Sequence, residues 1–163
     1  MPIYHKLGFV PDKRHVVARQ DSGQLYQEEL VGTQGFAGMS SLVYHLYPPT
    51  RVKQKDKPYS VQPEIAVENG LDAMSFQGFN LQPEADFLKS RKVLFCNVAL
   101  QIGLAAPTSS TPYFYKNADA DEVIFVHKGS GKITTMFGEL PFKYGDYIVI
   151  PRGTVYQVHF RSE

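Results

Sequence analysis

Short apolar runs dominate the chain from Val93 onward and predict a succession of β-strands. Val93–Leu104 is a long apolar segment, and shorter runs follow it, separated by joints rich in glycine or in aspartate and asparagine. Short strands at this spacing are typical of a β-barrel or a β-sandwich. The shorter runs are Pro112–Tyr115, Glu122–His127, Lys132–Phe137, Leu140–Phe142, Tyr147–Ile150 and Val155–Phe160.

Residues 1–90 differ from the rest because their pattern is irregular and they contain most of the prolines. One strand-like piece, Ser41–Tyr47, is followed directly by Pro48–Pro49, which stops a strand because proline lacks a backbone donor. The segment Asp86–Arg91 predicts one helical turn. We therefore expect a strand-poor N-terminal extension over residues 1–90, packed on a β-barrel core over residues 91–163.

The composition fits a folded protein of single-domain size. The chain has 163 residues, 43% of them hydrophobic and 13% aromatic, which argues against disorder. A net charge of +1 gives no field that would recruit nucleic acid or an anionic membrane. The single Cys96 cannot form an internal disulfide, and no apolar run is long enough to span a membrane. We expect a cytoplasmic protein without nucleic-acid or membrane partners.

Two glycine-punctuated motifs frame the strand-rich region. In the first, six residues separate Glu122 from Gly129; in the second, Gly145 is followed by Pro151 and Gly153. Both frames resemble the signature motifs of the cupin superfamily, whose fold is a small antiparallel jelly-roll barrel. The resemblance implies an all-β fold of the cupin type. Because the chain stops soon after the second motif, we expect the barrel to be incomplete at its C-terminus.

Other residues occupy the positions at which a metal-binding cupin carries its histidines. The resemblance places Tyr115 and Asn117 at the two histidine positions of the first motif, and Tyr156 at the histidine position of the second. With Glu122 these residues form a candidate binding pocket whose phenol and amide groups donate where the carboxylate accepts. We expect the core to be a degenerate, metal-free cupin with no bound cofactor.

Strand alternation predicts which side chains face the interior. If Glu122 points inward, His127 points outward, and on the last strand His159 lies on the face opposite Tyr156. Both histidines would then face away from the carboxylate, which argues against a metal site built on it. The residues expected to face inward are Glu122, Ile124, Val126, Tyr156, Val158 and Phe160.

Short motifs along nearly the whole chain carry a second, more specific resemblance. They are Tyr4–Gly8, Lys13–His15, Tyr26–Leu30, Gly32–Phe36, Ser40–His45, Pro49–Thr50, Phe87–Arg91 and Asn117–Glu122. In this order they are similar to the N-terminal region of the homogentisate 1,2-dioxygenase family. The chain is identified as a member of that family.

The resemblance implies an oxidoreductase of tyrosine and phenylalanine catabolism. Such enzymes open the ring of homogentisate with O2 to give maleylacetoacetate, and they use Fe(II) held by two histidines and a carboxylate, which leaves positions open for substrate and O2. The family is built from two cupins and assembles as trimers and hexamers. Its iron ligands and catalytic histidine lie in the second cupin, so no residue of this chain inherits a catalytic role.

Three hypotheses follow from this partial match. The first is that the chain is the structural, assembly-forming N-terminal half of such an enzyme, inactive without its C-terminal cupin partner. The second is a free-standing, metal-free cupin that binds a small ligand in its interior. The third, which we favour least, is an atypical metal site that includes Glu122.

Other reactive groups have simpler interpretations. Lys13–His15 is a short basic cluster, which is usually solvated but could lie at a subunit contact. Cys96 lies in an apolar strand, which favours a buried, unreactive thiol. Ser40–His45 offers a nucleophile and a base without a third, orienting group. Three loop carboxylates lack the spacing of a calcium-binding loop: Asp119, Asp121 and Asp146.

Overall fold

A computed structural model of the chain describes residues 17–35, 37–49, 54–55, 57–66 and 73–161. Within this described part the secondary structure consists of β-strands and a single 3-10 turn, so the all-β fold class is confirmed. None of its helical segments is long and apolar enough to cross a membrane. The chain divides into two compact units, residues 1–57 and residues 58–163. The sequence analysis placed a boundary between an N-terminal extension and the barrel core at residue 90, and that boundary stays a prediction.

The first unit contains an antiparallel hairpin. Strands β1 (Gln27–Gln34) and β2 (Ala37–His45) pair from Gln27 opposite His45 to Gln34 opposite Ala37. Gly35 lies between them with φ of +62°, a conformation that glycine adopts without steric cost and that reverses the chain. The sequence predicted only Ser41–Tyr47 as a strand here. The paired strand begins earlier because the hairpin partner supplies hydrogen bonds that the residue pattern does not reveal.

The long apolar segment at the start of the strand-rich region is a second hairpin, not one strand. Strands β3 (Lys92–Cys96) and β4 (Gln101–Leu104) are antiparallel. Asn97 creates the turn, since its Oδ1 accepts the backbone N–H groups of Ala99 and Leu100, each at 2.8 Å. Cys96 is exposed in this two-stranded sheet. The prediction that its thiol is buried was therefore wrong.

The remaining strands form two further sheets. The four-stranded sheet has the order β5-β10-β7-β8, and β6 pairs with β9 in a two-stranded sheet. All of these pairs are antiparallel. In the described part of the chain the sheets remain separate and do not close into a barrel. The strands are β5 Tyr115–Lys116, β6 Glu122–Phe125, β7 Ser130–Thr135, β8 Gly138–Lys143, β9 Tyr147–Ile150 and β10 Val155–Phe160.

The hydrophobic core lies between the four-stranded sheet and the inner face of the β6–β9 sheet. Along β6 burial alternates, with Val123 and Phe125 exposed and their neighbours turned inward. On β10, Tyr156 and Val158 are buried, whereas His159 is only half-buried. The alternation predicted from the sequence is confirmed on both strands. The buried apolar residues of this core are Phe87, Val126, Ile133, Phe142, Ile150, Tyr156 and Val158.

Candidate functional site

The turn at Asp86–Arg91 places an arginine against the core. Asp86 Oδ1 accepts the N–H groups of Leu88 and Lys89, each at 2.9 Å, and the Asp86 carbonyl accepts the N–H of Ser90 at 2.9 Å. These bonds close the single helical turn that the sequence predicted. Because the turn is capped at one end and leads into β3 at the other, Arg91 is held next to the core.

Motif glycines fix the strands that carry the other polar groups. Gly145 has φ of +88° and donates its N–H to the Val126 carbonyl at 2.8 Å, which ties the end of β6 to the start of β9. Gly153 has φ of +82° and donates to the Asn117 carbonyl at 2.7 Å, just before β10. Any side chain would be strained at these positive φ values. The two motif frames thus set the positions of β6 and β10 and, with them, of their inward side chains.

Three side chains from three separate segments meet in a closed hydrogen-bonded triangle. Arg91 Nη1 donates to Glu122 Oε1 at 2.5 Å, and Arg91 Nη2 donates to the Tyr156 hydroxyl at 3.0 Å. The Tyr156 hydroxyl in turn donates to Glu122 Oε2 at 2.6 Å. Both carboxylate oxygens of Glu122 are therefore occupied. We call these three residues, together with Tyr115, the Arg91 cluster.

Aromatic rings surround the guanidinium group of the Arg91 cluster. Its Cζ lies 4.4 Å from the centroid of Phe87 and 5.6 Å from that of Tyr115. Tyr115 also packs edge-on against Tyr156, with 5.5 Å between centroids. Ring faces attract cations, and the planar guanidinium stacks on them well. The cation is thus held by a carboxylate on one side and by π-faces on the other.

The ionisation properties of the cluster follow from its burial. The Glu122 side chain is only 10% exposed and that of Arg91 is 30% exposed. Burial works against the charge of Arg91, but Tyr156 and Glu122 outweigh it and raise the pKa of Arg91. Burial, followed by the hydrogen bond to Glu122, raises the pKa of Tyr156, and burial also raises the pKa of Tyr115. The two phenols therefore remain neutral hydrogen-bonding groups, well suited to a static network.

One of the four predicted pocket residues lies outside the cluster. The Asn117 Oδ1 accepts the N–H groups of Asp119 and Ala120, at 3.0 and 3.1 Å, and so caps its own loop. The Asn117 side-chain oxygen is therefore used in this local turn, and the prediction that Asn117 is a binding residue stays a prediction. The structure brings together Tyr115, Glu122 and Tyr156, and it adds Arg91, which the sequence analysis did not select.

The residues of the cluster do not fit a metal ion. An iron site of this kind needs several histidine or carboxylate ligands on one ion. Among the described residues no group of three histidine, cysteine, aspartate or glutamate side chains is gathered in a way that could hold a metal. Glu122 is the carboxylate of the cluster, and Arg91 and Tyr156 take both of its oxygens. At this position a metal ion would find one carboxylate ligand, Glu122, whose oxygens are already hydrogen-bonded.

The other reactive groups lie in simpler surroundings. His127 is exposed and His45 is bonded to Glu29 at 2.8 Å in the first hairpin. The loop carboxylate Asp121 accepts the Arg152 N–H at 2.7 Å and so joins the loop before β6 to the segment after β9. The basic cluster Lys13–His15 lies outside the described residues.

Comparison with known proteins agrees with this architecture. Residues 17–163 match the family described as homogentisate 1,2-dioxygenase N-terminal. The chain is also 38% identical to a curated protein of Saccharolobus solfataricus named "Putative dioxygenase", over 99% of this chain and 42% of that relative. The chain thus spans less than half the length of the relative. The match over almost every residue shows that the chain belongs to the family of homogentisate 1,2-dioxygenase N-terminal domains.

Proposed function

We propose that this chain is the metal-free scaffold of a homogentisate 1,2-dioxygenase. In this proposal a second cupin, C-terminal to it in the family, holds Fe(II) and opens the ring of homogentisate with O2 to give maleylacetoacetate. The family match and the relative named as a dioxygenase support the proposal. A cytoplasmic location and assembly as a homo-oligomer stay predictions of the resemblance.

The observation that carries the proposal is the ion pair between Arg91 and Glu122. In a metal-binding cupin the glutamate at this motif position faces a divalent cation. Here a guanidinium group bonds both to that carboxylate and to the tyrosine at a histidine position. The guanidinium meets the need of a buried carboxylate for a counter-charge without any metal. We infer that the cluster is a structural replacement of a metal centre and does no chemistry.

The Arg91 cluster links separate sheets of the scaffold to each other. Glu122 belongs to the β6–β9 sheet, Tyr156 to the four-stranded sheet, and Arg91 to the segment that enters β3. A polar triangle between separate sheets fixes their relative position, because a shifted sheet would leave buried groups unpaired. No buried side-chain nitrogen or oxygen lacks a hydrogen-bond partner among the described residues. The buried polar groups are therefore satisfied within the chain itself, which supports the scaffold role.

Oxygen uptake tests the proposed function. The 163-residue chain is supplied with homogentisate and ferrous iron, alone and together with the part of the Saccharolobus solfataricus relative that lies outside its match to this chain. We expect no uptake above the rate without protein for the chain alone, and homogentisate-dependent uptake for the mixture. Sustained turnover by the chain alone would refute the scaffold role. Failure of the mixture under conditions where the two parts form a complex would refute the assigned activity.

A further inference from the structure

The β6–β9 sheet is apolar on both of its faces. Its strands contain the continuous apolar runs Val123–Phe125 and Tyr147–Ile150. An antiparallel sheet with one face in water alternates apolar and polar residues, whereas strands covered on both faces read as continuous apolar runs. The inner face of this sheet packs in the core. The outer face is exposed, although its sequence is that of a covered face.

The exposed face is built from cross-strand apolar pairs. Val123 lies opposite Val149, and Phe125 lies opposite Tyr147 with 4.8 Å between ring centroids. Tyr147 is 71% exposed and Val149 is 64% exposed. Neither pair contains a charged side chain, so water contacts a continuous apolar strip.

Further rings extend this strip around one histidine. The His127 ring lies 5.0 Å from the centroid of Phe79, 6.3 Å from Tyr144 and 6.4 Å from Phe125. All of these rings are exposed. Exposed groups of aromatic residues are typical of the centres of protein interfaces, because each ring buries a large area at a small cost in entropy. We call this surface the outer aromatic face. It consists of Phe79, Val123, Phe125, His127, Tyr144, Tyr147 and Val149.

A groove next to the outer aromatic face could receive an inserted side chain. It has a volume of about 260 Å³ and runs between β8 and β9, where Leu140, Tyr147 and Val149 form its rim. Ile133 and Phe142 of the core also line it, and Asp146 contributes a carboxylate at the start of β9. An apolar strip beside a groove that is lined largely by apolar side chains favours a partner that contributes its own apolar anchor residues.

We propose that the outer aromatic face is the docking surface for the remaining part of the dioxygenase polypeptide, the part that carries the second cupin. This inference rests on the proposed function, which supplies that partner. The chain spans 42% of the length of its relative, so the rest of such a protein is long enough to form a further domain. Because the cross-strand pairs of the strip are apolar, the contact resembles a permanent interface more than a transient one.

Binding of the two parts tests the docking surface. The probe is the portion of the Saccharolobus solfataricus relative outside its match to this chain, and its affinity for the full 163-residue chain is measured by calorimetry. Val149→Lys places a charge at the centre of the outer aromatic face, and Phe125→Lys does the same on the neighbouring strand. The matched control is Ile102→Lys, a half-exposed β-branched residue in β4 of a different two-stranded sheet. Thermal unfolding of each variant confirms that the strands still form.

We expect a one-to-one complex with the unmodified chain, at least tenfold weaker binding for Val149→Lys and Phe125→Lys, and unchanged binding for Ile102→Lys. The inference is overturned if the unmodified chain does not bind, or if the face variants bind as the control does. It is also overturned if the unmodified chain forms dimers that Val149→Lys abolishes, since a second copy would then occupy the face. A complex that forms through this face without oxygen uptake would contradict the proposed activity and leave the docking surface standing.

Discussion

The hydroxyl group of Tyr156 donates a hydrogen bond to Glu122 Oε2 across 2.6 Å, and so joins the four-stranded sheet to the β6–β9 sheet. The resemblance to the cupin motifs implies that Tyr156 stands at the position of a metal-binding histidine and Glu122 at that of a metal-binding carboxylate. Two positions that would meet at a metal ion in a metal-binding cupin instead contact each other directly. Arg91 supplies the positive charge.

Removal of the Tyr156 hydroxyl should weaken the protein. Tyr156→Phe keeps the buried ring but deletes one donor to Glu122 and one acceptor for Arg91. We expect the free energy of unfolding to fall by about 1.5–3 kcal/mol, the range for hydrogen bonds that involve charged groups. Urea unfolding measures it. Tyr147→Phe, on the exposed outer face, is the control and should change stability by less than about 0.5 kcal/mol. Equal effects of the two changes would contradict a structural role for the triangle.

Removal of the Arg91 charge alone should lower the free energy of unfolding more than removal of the charges of both Arg91 and Glu122. Arg91→Met leaves the Glu122 carboxylate largely buried without its cation. Breaking a buried ion pair typically lowers the free energy of unfolding by about 3–5 kcal/mol. Because Arg91 is partly exposed, we expect a loss at the lower end, about 3 kcal/mol. The double variant Arg91→Met with Glu122→Leu removes both charges and should recover much of that loss. Strictly additive effects in this double-mutant cycle would show that the two side chains do not interact.

Acid should destabilise the protein partly through Asp86. The Tyr113 hydroxyl donates to its Oδ2 at 2.5 Å and two backbone N–H groups donate to its Oδ1; these bonds, the first above all, lower the pKa of Asp86. A carboxyl group whose pKa is lower in the folded state stabilises the fold fully above its unfolded pKa of about 3.9 and loses that contribution as pH falls through the folded value.

Asp86→Asn should therefore flatten the dependence of stability on pH below about pH 4. Asp119→Asn makes the same chemical change at an exposed loop carboxylate outside this turn and serves as the control. Denaturant midpoints measured from pH 2 to pH 7 make the comparison. An unchanged slope for Asp86→Asn would mean that the turn is not held by this carboxylate.

Gly131 should tolerate no side chain. A Cβ at this position would collide with the carbonyl oxygen of His159 on β10 and approach Phe142 Cζ to 2.7 Å. We expect Gly131→Ala to cost at least about 1–3 kcal/mol, as overpacked cores do. Gly129→Ala is the comparison, since a Cβ there meets open space and only its φ of +83° is unfavourable. Thermal unfolding should rank Gly131→Ala as the more damaging change; the reverse order would contradict the close approach of β7 and β10.

Part of the site could be predicted from strand periodicity. Alternation along β6 and β10 directs Glu122 and Tyr156 inward, and the paired register then brings Tyr115 next to Tyr156. Arg91 could not be found in this way, because it lies 31 residues before Glu122 and reaches it from a turn. The sequence did contain a chemical signal. An inward-facing Glu122 with no metal-binding histidines at the motif positions needs a positively charged partner, and Arg91 ends the predicted turn.

Some details of the structure could not be predicted, because local hydrogen bonds compete with the residue pattern. Asn117 lies at a ligand position of the motif, but its side chain caps the next turn. Val93–Leu104 reads as one apolar segment, but Asn97 reverses the chain within it, and the resulting hairpin leaves Cys96 exposed. Apolar content alone does not distinguish one long strand from two short ones, nor a covered face from an exposed one.

Iron binding by the isolated chain tests the central claim most directly. The purified 163-residue protein is dialysed against excess ferrous iron without oxygen, freed of unbound metal, and analysed for iron by elemental analysis beside a Glu122→Ala variant. We expect far less than one equivalent of iron in both proteins, because Arg91 and Tyr156 occupy the carboxylate of Glu122. One equivalent of iron in the unmodified chain that disappears in Glu122→Ala would contradict the account.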